Sequence, residues 1–281
     1  MDESRVLNGM SVDVEEWFQV GAFERTIDKD DWEGLESRVV DSTARVLDLF
    51  AERGTKATFF TLGWVAARHG ALMRRIVEEG HEVASHGWDH QRVFTMDAAV
   101  FRADLRRARA ALEDASGAKV VGYRAPSFSI DVRTPWAHPV LAEEGYRYSS
   151  SVAPVRHDHY GWRESSRFAW KPVGDATLVE LPVTVGEAIG RRFATGGGFF
   201  RLLPAAVTDF ALRQVNAERQ PGMFYFHPWE VDPGQPRVHA APLRSRLRHY
   251  SRQGAMVGKL RGLLERHHWG RVDAVVERLA S

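Results

Sequence analysis

The feature that most constrains this chain is an alternation of short apolar, β-rich runs with amphipathic stretches of helical period. Seven runs, near 9–14, 57–62, 82–85, 120–124, 146–149, 178–183 and 223–226, read as strands. Between them, Val39, Thr43, Val46, Leu47 and Phe50 recur at spacings of three and four before Gly54. Leu72, Met73, Ile76 and Val77 repeat the pattern before Gly80, and Phe101, Leu105, Ala108 and Leu112 before Gly117. Residues 202–218 and 258–279 also read as helices. Such alternation argues for parallel strands joined by crossovers. Seven units suggest an α/β barrel, and no GxGxxG follows the first strand to support an open dinucleotide-binding sheet. Two stretches, 150–172 and 220–242, look like insertions. The expectation is a single domain over 1–281, with its core over about 9–230 and a basic helical extension over about 243–281.

Composition narrows the function classes. Of 281 residues, 44% are hydrophobic and 27% charged, which excludes a disordered, collagen-like or coiled-coil chain. Lys plus Arg (38) nearly equals Asp plus Glu (37), so nothing global argues for a nucleic-acid partner. There is no cysteine, so any metal must be held by His, Asp or Glu. The N-terminus is polar and acidic, unlike a signal peptide. The longest nearly apolar run, 57–67, is far short of the roughly 20 residues needed to span a bilayer. A cytoplasmic protein is expected, with contact at the inner membrane surface left open. Residues 244–281 carry nine Lys/Arg against three Asp/Glu, a net +6. That charge suits anionic headgroups or lipid-linked, diphosphate-bearing glycans, or is simply a solvated helix face.

In parallel α/β folds, chemistry collects at the carboxyl ends of the strands. Four strand ends here are unusually polar: Asp13-Val14-Glu15-Glu16-Trp17, Ser85-His86-Gly87-Trp88-Asp89-His90, Arg124-Ala125-Pro126 and Phe226-His227-Pro228-Trp229-Glu230. His86 and His90 are four apart, so on a helical turn both rings face one way and can share a metal ion. Two unrelated surface histidines would look the same. Asp13 and Glu15 point the same way in a strand, one free to ligate and the other to take a proton. An acid-rich helix start would also read this way. Trp17, Trp88, Phe128, Trp162 and Trp229 lie in or near these loops, where rings stack on sugars or merely fill the core. Gly196-Gly197-Gly198 lacks the lysine of a phosphate loop and reads as a close-approach turn or as plain punctuation.

In combination, the strings SVDVEEWF, KATFFTLGWVA, GHEVASHGWDH, GYRAPSFSI, GYRYSSSV, HDHYG, GGGFFRLLP and FYFHPWE resemble the polysaccharide deacetylases with a NodB homology domain, carbohydrate esterase family 4. The likeness runs from about residue 9 to 230 and looks nearest to the branch associated with exosortase and exopolysaccharide clusters. It implies a distorted (β/α)7 barrel. It implies Asp13 as catalytic base, Arg124 as the arginine that holds it, and His227 as general acid. It implies Glu15, His86 and His90 as metal ligands, with Glu15 where the family usually has an adjacent Asp. Trp88, Pro126 and Trp229 become substrate-contact candidates. The cofactor implied is a divalent ion, zinc by default for such ligands, although iron, cobalt, nickel or manganese suits them too. The fourth motif departs: Tyr148-Ser149-Ser150-Ser151 stands where the family shows Tyr-Asp-Ser-Ser, so that strand offers His227 no carboxylate. The implied reaction is metal-dependent removal of N-acetyl groups from amino sugars of a polysaccharide or lipid-linked glycan in exopolysaccharide biosynthesis. A hydrolase of cyclic imides or other non-sugar amides, or a non-catalytic glycan-binding protein, are the alternatives.

Overall fold

A computed structural model describes residues 6–156, 161–174 and 176–280. The HDHYG string, apart from its final glycine, lies outside the described residues. A curled parallel sheet is built on β1 (Leu7–Val14), β2 (Thr58–Thr61), β3 (Glu82–Ser85), β4 (Gly122–Tyr123), β5 (Tyr148–Ser149) and β6 (Val179–Glu180), paired in that order. A hairpin of β7 (Val185–Ala188) and β8 (Arg191–Ala194) follows, and β9 (Met223–Phe226) then returns to the other edge of β1. Thr184 closes the seam between β6 and β9: its N–H donates to the Met223 carbonyl, and its hydroxyl accepts from the Met223 N–H. The result is a parallel sheet curled into a half-barrel with crossover helices, in keeping with the α/β barrel expected from the alternation.

The helices are α1 (Val39–Glu52), α2 (Gly63–Arg68), α3 (Gly70–Glu78), α4 (Ala98–Ser116), α5 (Ala137–Glu143), α6 (Gly197–Leu202), α7 (Ala205–Ala217), α8 (Leu243–Tyr250), α9 (Met256–Arg266) and α10 (Val272–Ala280). The alternation along β1 explains the layering. Met10, Val12 and Val14 join the buried layer under the helices, with Val46, Phe50, Phe59 and Leu105. Ser11 and Asp13, one residue out of phase, face the barrel interior. Each fully buried aliphatic or aromatic side chain in that layer contributes roughly 1.5–3 kcal/mol. Phe60, Ala84, Tyr148, Leu181 and Met223 fill the interior, and Val272, Val275 and Val276 of α10 plug its lower end.

The strands expected at 120–124, 146–149 and 178–183 shrink to two residues each. Single backbone bonds, such as Arg147 N–H to the Val121 carbonyl and Leu181 N–H to the Ser149 carbonyl, carry the pairing just beyond them. The helix expected over 202–218 is two helices, because Pro204 lacks an N–H and holds Leu203 extended (φ −85°, ψ 159°). The helix expected over 258–279 is interrupted by a strand, β10 (His268–Gly270), which pairs with the start of β1 and buries Trp269. The residues after 243 therefore belong to the sheet and the interior as well as to the surface. The 185–194 hairpin was not expected; its turn, Ile189-Gly190, has positive φ at both residues, as type I′ turns require.

Candidate active site

Strand ends converge on a cavity of 260 Å³ whose wall includes Asp13, Glu15, His86, His90 and His227. The period of β1 carries Ser11, Asp13 and Glu15 up one side. The His86–His90 stretch is not a helical turn, contrary to the expectation from its spacing. It is an irregular loop with left-handed backbone at Gly87 (φ +76°) and His90 (φ +63°), and it still brings the two rings to 5.6 Å between centroids.

Arg124 is fully buried, and each guanidinium nitrogen donates. Nε bonds the Ser150 carbonyl (3.0 Å), Nη1 the Ser11 hydroxyl (2.8 Å) and Asp13 Oδ1 (2.6 Å), and Nη2 the Ser150 hydroxyl (2.9 Å). The Phe60 ring lies 4.1 Å beneath it. A buried cation paired this completely is rigid, so Asp13 is held in one direction with its second oxygen facing the cavity. Ser149 does not reach His227. Its hydroxyl bonds that of Ser151, which accepts from the Ala125 N–H.

The carboxylate beside His227 comes from Glu230. Its Oε2 lies 3.1 Å from Nδ1 of His227 and also accepts the His227 backbone N–H. Nε2 is thereby aimed at the cavity, 3.7 Å from Glu15 Oε1 and 4.0 Å from Asp13 Oδ2. Burial opposes the charged imidazole, but Glu230, Glu15 and Asp13 together raise His227 to about 9. Glu230 is itself fully buried, with Nε of Arg201 3.2 Å from Oε1. Its carboxyl is pushed up by burial and pulled further down by the His227 bond and by Arg201. Arg201 is anchored by donating to the carbonyls of His249 and Arg248. The i, i+3 spacing of His227 and Glu230, a capping-box pattern, could have been read from the HPWE string; nothing in the sequence pointed to Arg201.

Glu15, His86 and His90 each offer a ligand atom, all within 4.8 Å of one another. The Nδ1–H of His86 donates to the Arg124 carbonyl (2.9 Å), which leaves Nε2 unprotonated. Burial lowers His86 to about 4, so it is neutral, as a ligand must be. Glu15 is pushed up by burial, yet His90, His227 and His86 bring it down to about 2. Its Oε1 accepts from the Trp229 indole N–H (3.1 Å). Oε2 is buried with Nε2 of His90 3.0 Å away and no hydrogen bond otherwise. Two imidazoles around an under-satisfied buried carboxylate fit a divalent ion bound on one face, with the opposite positions open.

The aromatic expectations divide. Phe128 lines the cavity, as do Tyr225 and Phe199, which were not anticipated. Trp229 lines it edge-on, since His227 (4.9 Å, 21°) and His249 (4.3 Å, 17°) stack on its two faces. It therefore orients Glu15 and His227 and offers no open face to a sugar. Trp88 and Pro126 are not among the cavity-lining residues; Trp88 lies under the Arg107 guanidinium at 3.6 Å. Trp17 is buried and donates to the Glu36 carbonyl, and Trp162 packs on the core. Gly196 and Gly197 form the close-approach turn. A Cβ on Gly196 would stand 2.4 Å from the Tyr225 ring, and Gly197 has φ +52°.

Residues 26–149 match the family model for polysaccharide deacetylases, and residues 150–277 match a domain of unknown function, DUF3473. A Listeria monocytogenes peptidoglycan-N-acetylglucosamine deacetylase is 48% identical over 48 residues, 17% of this chain and 10% of that protein. The chain spans 10% of that relative's length and 30% and 36% of the next two distinct curated relatives'. Among solved structures, a Mycobacterium smegmatis protein described as a polysaccharide deacetylase superposes with a TM-score of 0.64 at 22% identity, covering 100% of this chain and 92% of that one. An allantoinase superposes with a TM-score of 0.62 at 15% identity, covering 99% and 91%. These two likenesses bear on the fold; the segment matched by the deacetylase model contains His86, His90 and Arg124, while Asp13, Glu15 and His227 lie outside it. Over residues 26–149, less than half of its length, the chain is similar to the polysaccharide deacetylases.

Proposed function

We propose that the protein is a metal-dependent deacetylase, removing N-acetyl groups from amino sugars of a polysaccharide or lipid-linked glycan in exopolysaccharide biosynthesis. One observation carries this reading. The Glu15/His86/His90 set, the Arg124-tethered Asp13 and the Glu230-held His227 all face one 260 Å³ cavity. In this reading Glu15, His86 and His90 hold the ion, zinc by default, and the chain works at the cytoplasmic side of a membrane. The bound ion supplies Lewis acidity toward the amide carbonyl and lowers the pKa of water.

The chain's own residues supply the rest. Arg124 occupies Oδ1 of Asp13, leaving Oδ2 to accept the proton of the attacking water. His227, charged and held through Nδ1, presents its Nε2 proton to the amide nitrogen as the C–N bond breaks. Water adds across that bond, so the products are acetate and a free amine. Trp229 closes the wall behind Glu15 and excludes water from its Oε1.

Metal content by elemental mass spectrometry, paired with acetate release from N-acetylated chito-oligosaccharides, tests this. About one ion per chain, lost in His86→Ala/His90→Ala together with acetate release, is expected. A metal-free wild type after incubation with zinc, or turnover of cyclic ureides without acetate from any N-acetylated glycan, overturns it.

A further inference from the structure

The cavity has an outer rim that the chemistry above does not use. It is formed by α6 and α8, tied together where Arg201 of α6 donates to the carbonyls of Arg248 and His249. Lys259 of α9 fastens the end of α6 by donating to the carbonyls of Phe200, Arg201 and Leu203. The rim exposes four leucines. Leu243 (66%) and Leu247 (59%) lie one turn apart on α8, and Leu202 (39%) and Leu203 (37%) end α6. Leu202 and Arg248 both line the cavity, so the two faces meet at its mouth.

The segment that carries Leu243 and Leu247 has charge of one sign. Residues 233–264 contain seven Lys/Arg and no Asp or Glu. On α8, Arg244 and Arg248 alternate with Leu243 and Leu247 on the exposed side, while His249 is buried on the other. Leucines set among arginines are what an interfacial helix presents to a bilayer. The apolar side chains enter the headgroup–acyl boundary, and the cations meet anionic headgroups. Solvent alone does not favour four exposed leucines in one place.

We infer that the α6–α8 rim is a docking surface for an anionic membrane, which seats the mouth of the cavity on the lipid surface. The inference goes beyond the deacetylase reading in naming the surface, and rests on it only for the use of the cavity.

Co-sedimentation of the full chain with lipid vesicles tests the inference without measuring catalysis, so its failure is distinct from failure of the deacetylase reading. Vesicles with about 30% phosphatidylglycerol in phosphatidylcholine are expected to bind the protein, and pure phosphatidylcholine vesicles several-fold less. Leu243→Ser/Leu247→Ser should lower partitioning about tenfold or more, with an unchanged melting curve because both side chains are exposed. Arg252→Glu, a separate exposed position, should lower it several-fold, and salt near 1 M should weaken binding of the wild type. Leu279→Ser, on α10 at the opposite end of the barrel, should change nothing. Equal binding to neutral vesicles, no binding to anionic ones, or a double variant that partitions like wild type overturns the proposal. Wild-type dimerisation abolished by the double variant, without vesicle binding, overturns it in favour of a second copy of the chain.

Discussion

The two halves of the site are held by different physics. Asp13, Glu15, His86 and Arg124 sit at or within two residues of the ends of β1, β3 and β4. Their relative positions follow from parallel ladder register, which places Ser11 beside Thr58 and Ser85 beside Tyr123. His227 also ends a strand, β9, but its working direction comes from elsewhere. Glu230 holds it, Arg201 of α6 stands against Glu230, and carbonyls of α8 hold Arg201. The first half is a product of strand pairing. The second is a chain of buried polar contacts that exists only after the C-terminal helices have packed.

The strand-built half should fail most sharply at Asp13. Asp13→Asn should reduce acetate release by about 10³-fold while leaving metal content intact, because it removes the base and not a ligand. A loss below tenfold in a steady-state assay would refute the role of Asp13.

The second half should fail more gradually. Glu230→Gln is expected to lower kcat about 10²-fold with KM changed less than about threefold, since it acts through His227 and not on the substrate. It also leaves Arg201 buried beside a neutral partner, at a cost of about 3–5 kcal/mol in chemical unfolding. Arg201→Met/Glu230→Gln should recover part of that stability without recovering kcat. If KM rises and kcat holds instead, Glu230 contacts substrate and is not a positioning residue.

A smaller, pH-dependent effect separates scaffold from site. His81 is buried, its Nδ1 accepts the Ala57 N–H, and burial lowers it to about 4 from 6.5. A folded-state value below the unfolded one gives stability that is present above pH 6.5 and is lost as pH falls toward 4. The full shift is worth at most about 3 kcal/mol. His81→Gln keeps an acceptor for Ala57 and should flatten the stability–pH curve in that window. An unchanged slope would assign it to other groups.

The smallest effect expected is a gain. Ile189 is β-branched and fully exposed at φ +52°. Ile189→Asn, with Gly190 already in place, should raise stability by up to about 1 kcal/mol in thermal melting. No gain would mean that this turn is not strained by its isoleucine.

Much of this molecule is legible from residue patterns, for a local reason. Helical spacing in Val39–Phe50 and Phe101–Leu112, and alternation along 9–14, are short-range signals that survive into α1, α4 and β1. Polar residues at strand ends are legible for the same reason, so Asp13, Glu15, His86, His90, Arg124 and His227 could be singled out before any contact was known. Other features carry no local signal. β10 forms because the start of β1 presents a free edge to a tail that is otherwise helical, and the 185–194 hairpin because it packs on α7. The faces of Trp229 are covered only once His249 arrives from α8, twenty residues on.

By itself the sequence determined an α/β barrel of parallel strands with acidic, histidine and arginine groups on one rim, because side-chain period and strand-end position are local properties. Only the tertiary structure decided that Glu230, and not residue 149, partners His227. It also decided that Arg201 backs Glu230, and that leucines and arginines of α6 and α8 share the mouth of the cavity. Those facts depend on which buried charges find one another when distant segments pack, and the desolvation of an unpaired charge, several kcal/mol, makes that choice decisive.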